Sequence, residues 1–155
     1  MKKVIAIGLA VVLVLTLGAI PTMAAKGAVK ADLTYYDPPA PVGVDPVVGS
    51  VILNTTASGS LIVVINIDTI PDLVDYDVRV HINGVYKPIF PDVLSTNAKG
   101  NGNAQVKVNL LYENGDPRFT GPTIGVDVVL RPSFNPNTTP CFTTNWPDDV
   151  NVPLK

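Results

Sequence analysis

Two stretches of the chain alternate apolar and polar residues strictly enough to fix their conformation. Across 76–83, Tyr76, Val78, Val80 and Ile82 fall on one face and Asp77, Arg79, His81 and Asn83 on the other. Across 105–110, Val106, Val108 and Leu110 alternate with Gln105, Lys107 and Asn109. A period of two belongs to a pleated strand with one buried face, the usual condition of an antiparallel sheet. The same period predicts a strand over 29–36, with Val29, Ala31, Leu33 and Tyr35 sharing a face, and one over 123–131, with Ile124, Val126, Val128 and Leu130 inward. The run SLIVVINI at 60–67 is apolar on both faces, which predicts a central strand covered on both sides.

Turn chemistry divides these runs. Strands over 49–55 and 60–67 flank the short polar turn TASG and predict a hairpin. Asn83-Gly84 is a primed tight-turn signal, since both residues tolerate positive φ. Pro88 makes any strand over 85–90 an edge, and 93–96 is expected to pair with 104–111 across the Asn/Gly-rich run 97–103. A short strand through Val150 and Val152 is expected to stop at Pro153. No stretch outside the N-terminal segment places apolar residues at the three-and-four spacing of a helix. The prediction is an all-β chain: a two-layer antiparallel β-sandwich of about seven strands, preceded by a signal-peptide helix.

That N-terminal segment changes the compartment. Lys2 and Lys3 precede an apolar run over 4–20, and Pro21 and small residues follow it. This is the layout of a secretory signal peptide over 1–24, cleaved after Ala24 or Ala25. A retained anchor is the alternative, because spanning helices need roughly 17–25 apolar residues. The remainder divides into a strand and Pro-rich tether over 25–48, with Pro38, Pro39, Pro41 and Pro46, and a sandwich domain over 49–155 whose tail is rich in Pro, Asn and Thr. Loss of Lys2 and Lys3 leaves nine basic residues against 13 acidic ones, a formal net charge of −4. Without a basic stripe to neutralise phosphates, nucleic acid is excluded as an expected partner. After signal cleavage no membrane association is expected either.

Candidate chemistry is sparse. His81 is the only histidine, so one chain cannot build a site on two or three imidazoles, and a serine triad lacks a base. As an outward residue between Arg79 and Asn83, His81 reads as a solvated strand residue. Asp72, Asp75 and Asp77 are weak calcium candidates because hard cations require several oxygen ligands; otherwise no cofactor is expected. Asn54 and Asn137 each open an Asn-x-Thr sequon. Cys141 is the lone cysteine and cannot form an internal disulfide, which leaves a small apolar or semi-exposed residue with no role, or an intermolecular disulfide or reactive thiol. Tyr35, Tyr36, Phe134, Phe142 and Trp146, near the chain ends, form either a ligand platform or caps on the core.

Together SLIVVINI, DYDVRVHING and LSTNAKGNGNAQVKV resemble small Ig-like or fibronectin-like sandwich modules of exported bacterial and archaeal proteins. The resemblance covers about 49–131. It departs from antibody-type domains, which carry a cysteine pair with a tryptophan between. It implies a non-catalytic adhesive, structural or binding module, secreted or at the cell surface, whose partners are proteins or glycans and which could act as a homo-oligomer. Two alternatives stay open: a filament subunit that donates strand 29–36 to a neighbour, and a calcium-dependent hydrolase or its accessory domain.

Overall fold

The computed structural model describes residues 27–36, 46–68, 70, 74–133, 141–144 and 149–155. Residues 1–26, where a signal segment is expected, most of the Pro-rich tether, Asp72, Phe134, Asn137 and Trp146 lie outside the described residues.

Among the described residues nine antiparallel strands form: β1 (Val29–Tyr36), β2 (Val47–Thr56), β3 (Ser60–Ile67), β4 (Asp75–Ile82), β5 (Ile89–Ser95), β6 (Gly102–Asn109), β7 (Thr123–Pro132), β8 (Cys141–Thr143) and β9 (Val150–Pro153). The alternating pattern sets their register. Between β4 and β7, Val78 faces Leu130, Val80 faces Val128 and Ile82 faces Val126. Between β3 and its neighbours, Val63 pairs with Leu53 on one side and Val106 on the other. Inward residues therefore oppose inward residues, and a one-residue slip would turn the whole set to water. The resulting core is one cluster, with Leu33, Leu53, Val63, Ile65, Val80, Val128 and Leu130 fully buried. Each such side chain contributes roughly 1.5–3 kcal/mol by burial.

The pattern predicts two stacked layers of about seven strands; hydrogen bonding instead joins the strands in one path, β5-β4-β7-β8-β1-β2-β3-β6, with β9 added beside β7. The two ends of that path approach each other. A Cβ on Gly102 at the start of β6 would lie 2.5 Å from the Ser95 carbonyl oxygen at the end of β5. The sheet thus rolls close to a barrel. Its narrowest stitch is β8, which pairs with β7 through Val129–Thr143 and Leu130–Phe142 and with β1 through Thr34–Thr143, Tyr35–Phe142 and Tyr36–Cys141. Alongside, β9 pairs with the first half of β7, and the Thr55 hydroxyl of β2 donates to the Pro153 carbonyl at 2.5 Å.

Two expectations for individual strands change. The segment 93–96 does not pair with 104–111: β5 pairs with β4 and β6 with β3, because the Asn97 loop carries the chain across the opening between them. Strand β3 is not covered twice, since Ile62, Val64 and Asn66 on its outer face are only half-buried. Strand β1 is interior, held by six register pairs with β2 and three with β8. The Asn83-Gly84 turn matches its sequence, with φ of 48° and 68° and the Val85 amide donating to the Ile82 carbonyl at 3.1 Å.

Candidate functional site

Two places on this frame gather polar or aromatic side chains. The first is the outer face of β4 and β7. Register sets His81 opposite Asp127, Arg79 opposite Val129 and Asp77 opposite Arg131. Asp127 points outward yet is only 3% exposed. Its Oδ1 accepts hydrogen bonds from the Thr143 hydroxyl at 2.6 Å and the Thr144 hydroxyl at 3.1 Å, which orient the carboxylate. Its Oδ2 has no hydrogen-bond partner and lies 3.7 Å from His81 Nδ1, beyond hydrogen-bonding reach. Burial is the largest influence on His81 and lowers its pKa; Lys87, Arg79 and Arg131 add to the lowering, against the opposing pull of Asp127. His81 is thus a half-buried imidazole facing a buried carboxylate, in place of the solvated residue that its sequence position suggests.

The arrangement sets an imidazole beside a carboxylate, but both threonine hydroxyls donate to Asp127, and among the described residues no serine or cysteine nucleophile is hydrogen-bonded to His81. Its consequence is for stability. The unfolded imidazole takes up a proton near pH 6.5, whereas the folded one resists protonation until lower pH, so stability is fully present above that value and declines as pH falls toward the folded pKa. His81→Gln should flatten the fall in urea midpoint between pH 7.5 and 5.5. An unchanged slope would assign it to another group.

The second place is the end of the barrel where the β2–β3 turn meets the loop after β6. The loop is a tight hairpin: Leu111 bridges Pro117, the Tyr112 amide donates to the Asp116 carbonyl at 2.8 Å, and the Gly115 amide donates to the Tyr112 carbonyl at 2.9 Å. Gly115, at φ 87°, supplies the left-handed residue that this reversal requires. Asn114 accepts from the Asp116 amide at 3.1 Å and donates to its carboxylate at 2.7 Å. Between this hairpin and the 57–59 turn lies an open cleft of about 590 Å³, lined by apolar residues that include Leu111, Pro117, Phe119 and Leu154, by the hydroxyls of Thr56 and Ser58, and by Lys155.

Beside the cleft, the hairpin's arginine joins two loops. Arg118 Cζ sits 4.6 Å from the ring centroid of Tyr86, which follows the β4 turn, and 4.6 Å from that of Tyr112. Arg118 Nε donates to the Leu111 carbonyl at 2.9 Å. Phe119 tilts against Tyr86 at 6.4 Å, while Tyr112 stays 50% exposed.

The residues singled out by sequence are distributed differently. Asp75 accepts from the Ser95 hydroxyl at 2.6 Å, and Asp77 Oδ1 accepts from the Ser133 hydroxyl at 2.8 Å and the Asp92 amide at 3.2 Å. Among the described residues no group of three or more His, Cys, Asp or Glu is placed to hold a metal ion. Asn54 is half-buried at the end of β2, where its side-chain oxygen accepts from Lys155 Nζ at 2.8 Å. Cys141 opens β8, its backbone opposite Tyr36. Phe142 is a core residue 2% exposed, with its ring edge-on to Tyr35 and Tyr76, so it serves as a cap and not as a platform. Sequence reasoning missed Asp127 and the Tyr86, Tyr112 and Arg118 group. A carboxylate inside the apolar run TIGVDVVLR signals the first; nothing local signals the second, which depends on two loops meeting.

No protein-family model, curated protein or solved structure matches this chain.

Proposed function

We propose that this protein is an exported, non-catalytic β-module that acts by contact with a glycan at the cell surface, through the cleft at the 57–59 end of the barrel. The export signal of the sequence and its net negative charge support a life outside the cell, away from nucleic acid. The observation that carries the reading is the apolar floor of Leu111, Pro117, Phe119 and Leu154 beside the hydroxyls of Thr56 and Ser58, which bond to each other at 2.9 Å, with Tyr112, the chain neighbour of Leu111, 50% exposed. A sugar presents apolar C–H faces and hydroxyl edges, and this lining offers a counterpart to each. Because the hairpin is pinned by its own hydrogen bonds, little ordering entropy is lost on binding.

Affinity electrophoresis of the mature protein through gels containing different polysaccharides tests the proposal. At least one polysaccharide should retard the wild type, and Tyr112→Ala should weaken that retardation roughly tenfold, the effect expected of an aromatic anchor worth about 1.4 kcal/mol. Equal retardation of both proteins, or retardation by none, would contradict it.

A further inference from the structure

We infer that Arg118, set against Tyr86 and Tyr112, is the receptor for the carboxylate of a uronic-acid unit, so that the glycan taken by the end cleft is an acidic polysaccharide. The inference deepens the binding reading above and rests on it. Several observations lead to the carboxylate. The guanidinium Cζ lies 4.6 Å from the ring centroids of both Tyr86 and Tyr112, and Nε is already engaged with the Leu111 carbonyl. What remains is the Nη edge, a fork of N–H donors that matches a carboxylate in bidentate geometry. Among the described residues no carboxylate pairs with Arg118; the Arg79–Asp77 ion pair lies on the β4 and β7 face. Asp116, two residues before it on the hairpin, accepts from Asn114 at 2.7 Å.

Arg118 is only half-buried, so the outer donors that the protein leaves unpaired face water and are open to an anion. Here the side chain is fixed and its strongest donors are left over, which is the arrangement of a pre-organised anion receptor. The saccharide class follows from the surroundings. Tyr112 is 50% exposed, and Leu111, Pro117 and Phe119 line the adjoining cleft with the Thr56 and Ser58 hydroxyls across from them. A uronate bound at Arg118 can lay its ring along Tyr112 and continue into this cleft. An acidic peptide would bring the same carboxylate but no hydroxylated ring for Thr56 and Ser58.

The test compares trigalacturonate with its methyl ester by isothermal titration against the mature wild-type protein. The acid should bind, and the ester, which keeps every sugar contact but loses the charge, should bind at least tenfold more weakly. Arg118→Lys, with its urea midpoint checked against wild type, should lose tenfold or more for the acid and little for the ester, because lysine supplies charge without the fork. If Arg118→Lys fails to fold, the ester comparison on the wild type decides. Equal binding of acid and ester would overturn the carboxylate receptor while leaving the glycan reading in place. Binding of hexaglutamate in place of trigalacturonate, dependent on Arg118, would overturn the saccharide class. Failure of all three ligands would overturn the inference, and the neutral polysaccharides in the gel assay then judge the glycan reading separately.

Discussion

Replacing Phe142 with alanine is expected to destabilise the fold by about 3–5 kcal/mol, the range for removing a large buried aromatic side chain. The figure follows from where the ring sits. Strand β8 is three residues long, yet it is the strand through which β7 and β1 are joined, and Phe142 is its inward residue. The ring is edge-on to Tyr35 of β1 at 5.6 Å and to Tyr76 of β4 at 5.9 Å, so it packs against both sides of the seam. Edge-to-face pairs add about 0.5–1.5 kcal/mol beyond burial, and alanine removes both. Urea denaturation monitored by fluorescence or circular dichroism measures the loss. A cost below ~1 kcal/mol would mean that the seam is held elsewhere.

The second large effect is expected at Gly100. Its φ is 78°, and a Cβ there would lie 2.0 Å from the Ile70 carbonyl oxygen, whose own amide donates to the Gly100 carbonyl at 3.1 Å. Gly100→Ala therefore combines left-handed backbone strain, about 1–3 kcal/mol, with an overpacking clash of about 1–3 kcal/mol. The clash is with backbone, so no side chain can swing away. Gly84→Ala is the matched control: its φ is 68° and nothing lies within 4 Å of the added carbon. It should cost only the strain of about 1–2 kcal/mol. Similar losses in the two variants would show that the Ile70 contact is not the cause.

How far this was legible in the sequence depends on whether the signal was local. The inward sets of β4, β6 and β7 follow from a period of two, and the Asn83-Gly84 turn from residues that accept positive φ. Strand β8 was not legible: three residues in a tail crowded with Pro, Asn and Thr carry no periodicity, and the strand exists because β7 and β1 present edges to it. The closure of the sheet was hidden for a similar reason, since the approach of Gly102 to Ser95 is a property of accumulated twist and not of either segment. The candidate site shows the same division. His81 stood out as the single histidine, but its partner Asp127 is 46 positions away and is found only once β4 and β7 are in register. Arg118 reads as one more charged loop residue until the 83–85 turn and the 110–118 hairpin bring Tyr86 and Tyr112 against it.

The account makes the barrel end the working surface and leaves the His81–Asp127 face a matter of stability. Amide chemical-shift mapping of the labelled protein lacking residues 1–24 during titration with trigalacturonate tests that division most directly. The predicted result is a contiguous set of perturbed amides at 57–59, Tyr86 and 110–121, with His81, Asp127 and Thr143 unmoved. Perturbations centred on His81 and Asp127, with the Tyr112 hairpin silent, would contradict it.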